Sequence, residues 1–416
     1  MMAAISAYPY LSCKGEQWTP RMVWGVEDIV MCPGKEDMFN FLEDIVREVV
    51  PLFPGKYFHI GGDECPKTSW KNCPTCQKRI EAEGLQADGK HTAEERLQSY
   101  VIKRMEKMLA KYDRKIIGWD EILEGGLSPD ATVMSWRGTS GGISAALQKH
   151  DVIMTPGSGG LYLDHYQGDY KIEPVTIPSA PAYLSRTYNY EPVPDTIKSL
   201  GLEKHILGVQ CNNWSEYMYT NAKMEYQMYP RSLALAEIAW SPAKKKNFTD
   251  FARRVDANSV RLDERHVRYH IPLPEQPYGS CDKVVITKDT VVTFQTSRPM
   301  KMVYTLDGSI PTPSSAVYTE PIKVSGNTTI KIATVLPSGK MSKVRTIDVE
   351  KQTYAPAVKL NDAKAGLQLR RMKGNYLKVN QLELADAEWQ DCGTVTNLNK
   401  MKVSQPDDAT TLRGAN

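Results

Sequence analysis

At 416 residues, with 41% hydrophobic, 24% charged and 9% aromatic side chains, the chain has the make-up of a globular protein of roughly two or three domains, which excludes disordered, collagenous and coiled-coil proteins. Its 52 basic against 49 acidic residues leave a formal net charge of +3, too even for a nucleic-acid or membrane footprint, and the one basic cluster, Lys244 to Lys246, is short. No apolar run approaches the roughly 20 residues of a membrane-spanning helix, and the opening MMAAISAYPYLSC lacks the basic start and apolar core of a signal peptide.

Met38, Phe41, Leu42, Ile45, Val46 and Val49 recur at helical spacing and predict a helix ending near Pro51. A short apolar run, Tyr57 to Ile60, then reads as a buried strand. Cys65, Cys73 and Cys76 follow, and Cys73-Pro-Thr-Cys76 is a CxxC open to three readings: a disulfide, a redox pair or half of a zinc site. No second CxxC or paired histidines complete a metal site, so a structural thiol pair or disulfide is expected. The next helix, roughly 93 to 112, opens with Thr92 and Glu95 in capping-box register and places Leu97, Val101, Met105 and Met108 on one face.

Four further strands are predicted at Lys115 to Gly118, Thr132 to Ser135, Asp151 to Met154 and Ile206 to Gln210. The five strands are followed by Gly-Gly-Asp63-Glu64, Trp119-Asp120-Glu121, Trp136-Arg137-Gly138, Thr155-Pro156-Gly157 and Asn213-Trp214-Ser215-Glu216. In an α/β barrel the residues just past the strands' carboxyl ends form one active-site face, so polar and aromatic groups collected there point to a shared pocket. An open flavodoxin-like sheet is the alternative, but the early glycine-rich phosphate loop it would carry is not visible.

Helical stretches around 222 to 240 and 247 to 268 lead to Ile271-Pro-Leu-Pro-Glu-Gln-Pro277, a proline-rich break. The domains expected are therefore a barrel-type segment over 1–270 and a small antiparallel β-sandwich over 278–352, whose β-branched runs are separated by turns such as Asp307-Gly308. A partial β-rich segment over 353–416 completes the chain.

Asp63 and Glu64 follow two glycines that let the backbone turn and a ligand approach closely. If both carboxyls enter one cleft, burial and mutual repulsion hold one ionised and the other protonated, the division of labour glycoside hydrolysis requires. An adjacent Asp-Glu is by itself a weak signal. Trp119, Trp136 and Trp214 strengthen it, because three indoles at strand ends beside acids suit a wall for a sugar ring. Tyr162, Asp164 and Glu216 add hydrogen-bonding groups for hydroxyls or an amide.

The strings Phe58-His-Ile-Gly-Gly-Asp63-Glu64, Gly118-Trp-Asp-Glu121, Ser135-Trp-Arg-Gly138, Tyr162-Leu-Asp164 and Gly208-Val-Gln-Cys-Asn-Asn-Trp214-Ser-Glu216 occur in the order seen in family 20 of the glycoside hydrolases, the β-N-acetylhexosaminidases, which residues 1 to 240 resemble. The resemblance implies an α/β fold, a (β/α)8 barrel, acting on glycans with a terminal β-linked N-acetylhexosamine, with no metal or organic cofactor and no nucleic-acid partner. It implies Glu64 as general acid/base and Asp63 as the group orienting the substrate's 2-acetamido N–H, in a family set apart from the usual two-carboxylate scheme because the acetamido oxygen is the nucleophile. Tyr162 then donates to that oxygen, Trp119 and Trp136 wall the acetamido pocket, Trp214 lies under the pyranose ring, and Asp164 and Glu216 bind its outer hydroxyls. The downstream Tyr304-Thr-Leu-Asp-Gly-Ser309 and Pro311-Thr-Pro-Ser-Ser315 look like the small sandwich often appended to such enzymes.

Two departures from the family are expected to matter. The five strands resemble barrel strands four to eight, and the opening Met1 to Cys13 resembles the segment after the third. The expectation is thus a chain that begins inside the barrel, with about five of eight strands, exposed sheet edges and an active site lacking an arginine and a supporting histidine, and so a fragment whose own activity is in question. Between Tyr162 and Trp214 only tyrosines, Tyr183, Tyr188 and Tyr190, stand where the family commonly has another tryptophan. The resemblance further implies that the full enzyme is exported to meet extracellular glycans. A non-catalytic glycan-binding or spacer protein and, from Gly-Gly-Asp-Glu alone, a nucleotide cyclase are the rival readings; no pattern speaks to an oligomeric state.

Overall fold

Strands β1 (Tyr57–His59), β2 (Lys115–Trp119), β3 (Thr132–Ser135), β4 (Val152–Met154) and β5 (Ile206–Val209) lie side by side in chain order, every pair parallel. The computed structural model describes residues 2–23, 25–356, 367–373, 390–395 and 408–413, in two compact units, Met1–Lys351 and Gln352–Asn416. All five strands were expected, to within a residue at their ends. Successive parallel neighbours joined through helices are the repeating unit of a (β/α) barrel.

Among the described residues β1 pairs only with β2, and β5 only with β4, so the sheet keeps two edges. Burial follows from that placement. All four residues of central β3 are buried, whereas Tyr57 and His59 of β1 and Leu207 of β5 are exposed. A parallel strand with neighbours on both sides and cover on both faces reads as a continuous inward run, and an edge strand does not.

The helices Glu36–Val49, Ala93–Ala110 and Ser140–Leu147 cover the sheet, and Phe39, Val46, Ile102, Leu109, Ile116, Val133, Ala145 and Val152 share its core. The first helix is turned relative to its predicted stripe. Phe39 is buried and Ile45 is exposed, because Phe39 packs edge-on against Tyr100 at 5.9 Å and lies beneath the Arg104 guanidinium at 4.0 Å. The capping box is formed as read from the sequence: Glu95 N–H donates to Thr92 Oγ1 at 3.2 Å, and Thr92 N–H to Glu95 Oε2 at 2.7 Å.

The proline-rich break behaves as a buried connector rather than a hinge. Ile271, Leu273 and Glu275 are buried, and the Glu275 carboxylate accepts from the Asp169 N–H at 2.8 Å and the Tyr183 hydroxyl at 3.0 Å. Beyond it Arg345, itself buried, donates to the Pro274 carbonyl at 2.8 Å, and buried Arg298 pairs with Asp256 at 2.9 Å. These contacts tie the segments before and after the break into one compact unit, Met1–Lys351.

The β-rich part holds β6 (Lys283–Ile286), β7 (Thr290–Val292), β8 (Lys301–Thr305), β9 (Ala316–Val317), β10 (Ile322–Val324), β11 (Thr328–Val335) and β12 (Arg345–Lys351). Five of them form a sheet in the order β6-β12-β11-β8-β9, and β10 pairs with β7. Both sheets contribute to one core of Val292, Phe294, Ile322, Val324, Ile330, Ile332, Ile347 and Val349. The pairing departs from the antiparallel expectation in one place, since β6 runs parallel to β12. In the second unit β13 (Leu367–Lys373) lies antiparallel between β14 (Gln390–Val395) and β15 (Asp408–Arg413).

Two substitutions check this account by urea denaturation. Thr92→Ala, which removes the cap, is expected to cost about 1 kcal/mol. Leu109→Ala, at a fully buried site, is expected to cost about 2–5 kcal/mol, with an unchanged denaturant slope in both cases.

Candidate active site

Past β1 the chain turns through Gly61 and Gly62, at φ +76° and +96°, into Asp63 and Glu64. Glycine is required at 62, because a Cβ there would stand 2.6 Å from Ile122 Cγ2. Glu64 itself has φ +47°, an uncommon conformation for a residue with a side chain and one that the surrounding packing has to hold. Burial and then the neighbouring Asp63 charge raise the Glu64 carboxyl above the usual carboxylate range.

Seven of the eight predicted residues line one cavity of about 320 Å³: Asp63, Glu64, Trp119, Trp136, Tyr162, Trp214 and Glu216. Trp119 stands at its centre, with ring centroids 6.4 Å from Trp136 and 5.8 Å from Trp214 and ring planes inclined by 75° and 54°. Steeply inclined rings make walls and a floor rather than a stack. The His59 ring lies 4.8 Å from that of Trp119.

Two buried carboxylates that the sequence reading left without a role hold this arrangement. Asp120 accepts the backbone N–H groups of Trp136 and Arg137 on Oδ2, at 3.0 and 3.2 Å, and the Arg137 Nε–H on Oδ1 at 2.5 Å. Glu121 accepts the Trp136 indole N–H at 2.9 Å. The turn after β2 thereby fixes the ring that projects after β3. Their signal in the sequence was two acids directly behind a buried strand.

Tyr162 is half-buried, and burial keeps its phenol above the ordinary range, so it remains an O–H donor at any physiological pH. Asp164 is the exception among the predicted residues: it is 2% exposed and does not line the cavity. Burial, with the Glu216 charge adding to it, raises its carboxyl to about 6, against the pull of Arg231. The cause is the anchoring of its loop from below. Fully buried Arg231 donates to the carbonyls of Leu163, of Ala182 at 3.2 Å and of Gln227 at 2.8 Å, and the Gln227 side chain donates to the Asp164 carbonyl at 3.2 Å.

None of Tyr183, Tyr188 and Tyr190 lines the cavity. Tyr183 is engaged by Glu275 and Tyr188 stacks on Phe251 at 4.6 Å, while Ile177 supplies the wall. An isoleucine in a proline-flanked loop carries no chemical signature, so the sequence offered no way to pick it out.

The cysteine expectation needs correction. Cys73 and Cys76 do not stand as an isolated pair, because Cys32 Sγ lies 3.5 Å from Cys76 Sγ and 3.8 Å from Cys73 Sγ, and Cys13 Sγ lies 3.8 Å from Cys76 Sγ. All four thiols are free. The two further sulfurs come from segments earlier in the chain, so no compact motif announced them. Among the described residues no helix is long and apolar enough to cross a membrane.

Comparison with known proteins agrees with this geometry. Residues 1–243 match the glycosyl hydrolase family 20 catalytic domain, and residues 284–346 the chitobiase/beta-hexosaminidase C-terminal domain. A beta-hexosaminidase of Porphyromonas gingivalis is 52% identical over 98% of this chain and 52% of its own length, and one of Vibrio furnissii is 34% identical over 56% and 38%. The chain thus spans about half the length, or less, of the curated relatives it matches. Among solved structures, an exo beta-N-acetylglucosaminidase from Vibrio harveyi in complex with N-acetylglucosamine superposes with a TM-score of 0.57 at 29% identity, covering 65% of this chain and 41% of its own. A beta-N-acetylhexosaminidase from Bacteroides fragilis does so with a TM-score of 0.53 at 27% identity, covering 64% and 51%. With its catalytic-domain match extending over more than half of its residues, and the motif residues brought to one cavity, the chain belongs to glycosyl hydrolase family 20.

Proposed function

We propose that the chain carries the catalytic centre of a retaining exo-β-N-acetylhexosaminidase that releases terminal β-linked GlcNAc or GalNAc through an oxazolinium intermediate formed by the substrate's own acetamido group. The observation that carries this reading is the convergence of Asp63, Glu64, Tyr162 and three indoles on one cavity, with the Glu64 carboxyl raised above its ordinary range. The names of the relatives and the N-acetylglucosamine held by the Vibrio harveyi enzyme support it.

In this scheme protonated Glu64 donates to the leaving glycosidic oxygen as the acetamido carbonyl oxygen attacks the anomeric carbon. Asp63 accepts the acetamido N–H and offsets the positive charge that grows on the ring being formed. Tyr162, kept as a donor by burial, orients the acetamido oxygen, and Trp119 and Trp136 enclose the group while excluding water from it. Trp214, 41% exposed, serves as the platform under the pyranose ring, with Glu216 beside it for a hydroxyl. Glu64, now ionised, takes a proton from the water that opens the intermediate, and two inversions give net retention. Export of the enzyme to meet extracellular glycans belongs to the same proposal; immunoblotting of fractionated source cells should find it outside the cytoplasm.

Hydrolysis of a chromogenic β-N-acetylglucosaminide tests the assignment. Glu64→Gln is expected to lower turnover roughly 10²–10⁴-fold, and a thiazoline mimic of the cyclised intermediate should inhibit; undiminished turnover in the variant removes Glu64 from the acid/base role. Because the sheet keeps two edges, a folded but silent chain is retested in a longer form matching the relatives.

Asp63→Asn separates charge from geometry through the pH profile. Removing the adjacent negative charge favours ionised Glu64, so the pKa of the acid falls. The alkaline limb of kcat/KM, where the protonated acid is lost, should therefore move to lower pH, alongside a drop in rate. A limb that stays in place would mean that Asp63 does not sense Glu64.

A further inference from the structure

We propose that Cys13, Cys32, Cys73 and Cys76 bind one zinc ion in a closed, four-thiolate structural site beside the catalytic loop. The four sulfurs all lie within 4.8 Å of one another, with separations of 3.5, 3.8 and 3.8 Å for the tightest pairs. Tetrahedral zinc with Zn–S bonds of about 2.3 Å places its sulfurs about 3.8 Å apart. A disulfide would bring two of them to about 2 Å and leave the pairs distinct. Here Cys32 and Cys76 each contact two other sulfurs, which is the pattern of a four-cornered site.

The surroundings suit a thiolate cluster. Three of the four cysteines are buried, packed among Val30, Trp70, Ile80 and Leu97, and four soft sulfur donors with no oxygen among them select zinc over the hard cations. Gly34 is held against the opposing ligand segment so closely that a Cβ would stand 2.4 Å from the Thr75 carbonyl carbon. Cys73 caps the helix Pro74–Ala82 and Cys76 lies in its first turn, where the unpaired N–H groups and the helix dipole favour negative sulfur. On binding, the four thiols release their protons to solvent and the metal takes four thiolates.

Such a site would join three segments of the chain, around Cys13, around Cys32 and over Cys73–Cys76. Cys13 and Cys32 bracket the loop carrying Val26, which lines a cavity with Glu64, and Cys73 follows Glu64 on the next stretch of chain. The backbone around the cluster is already tied: Cys32 N–H donates to the Leu11 carbonyl at 2.8 Å and the Trp70 indole to the Met31 carbonyl at 2.9 Å. The ion would therefore staple the loop on one side of the acid to the helix on the other, in a positioning role.

The test uses the chain purified under reducing conditions and reconstituted with zinc chloride, then desalted. Elemental analysis should find one zinc per chain, and titration with a mercurial should release it to a colorimetric chelator as the four thiols react. Replacement by cobalt(II) should give the intense visible d–d bands and sulfur-to-metal charge transfer of a tetrahedral thiolate site. Cys32→Ser should abolish both signals. Cys13→Ser, at the half-exposed corner, should keep the fold by circular dichroism yet weaken zinc retention, and Cys281→Ser, exposed in the β-rich part, should change neither. Folded, reduced protein that holds no stoichiometric zinc and gives no thiolate–cobalt spectrum overturns the proposal. So does iron in place of zinc, or the finding of Cys13–Cys76 and Cys32–Cys73 disulfides by peptide mass spectrometry in protein isolated without reductant.

Discussion

Because β1 to β5 all run parallel, every segment that follows a strand emerges at the same end of the sheet, and that single constraint collects Glu64, Trp119, Trp136 and Trp214 from positions spread over 150 residues of chain. The strands themselves contribute little chemistry. Their burial, complete in β3, fixes the spacing and direction from which the groups of the candidate site project. Polar residues could be spent on the far ends of the strands because the interior was closed by Ile116, Val133 and Val152 from the sheet and Phe39, Ile102 and Leu109 from the helices.

The projecting groups are held by charges that never touch the cavity's centre. Asp120 and Glu121 are almost wholly buried, and burial raises Glu121 even though the Trp136 indole and Arg137 draw it back. Each buried oxygen that accepts an N–H is cheaper to keep than one left alone, and the hydrogen bonds are spent on aiming Trp136. Arg231 does the same for the loop of Tyr162 and Asp164 from the other side: with its guanidinium buried and its pKa lowered to about 10, it gathers the carbonyls of Leu163, Ala182 and Gln227. Glu173, held ionised by His270 at 3.0 Å and by the Tyr226 hydroxyl at 2.5 Å, ties the same loop to the chain after the last barrel-side helix. The cavity is thus framed by buried ion pairs and charge-assisted hydrogen bonds rather than by the groups that line it.

How much of this was legible depends on the range of the interaction. The five strands, the capped helix after Thr92 and the β-rich region follow from local periodicity and turn chemistry, and each appears where the sequence places it within a residue or two. The motif residues Asp63, Glu64, Trp119, Trp136, Tyr162, Trp214 and Glu216 were legible because acids and indoles at strand ends have no packing reason to be there. Asp164 belongs to the same pattern, yet it is pulled beneath the surface by Arg231 and Gln227, whose own places are set by helices some 60 residues later. The rotation of the helix Glu36–Val49 toward Phe39 is likewise a response to Tyr100 and Arg104, not to anything within the helix.

The sequence by itself determined the class of fold, the strand ends that would carry chemistry and the family to which the chain belongs, because these rest on residue type and spacing along the backbone. Tertiary structure alone decided that Ile177 rather than a tyrosine closes the cavity, that the proline-rich break is a buried connector, and that Cys13 and Cys32 meet Cys73 and Cys76. Each of these depends on which distant segments pack together, and packing is settled by shape and burial summed over the whole unit rather than by any local pattern.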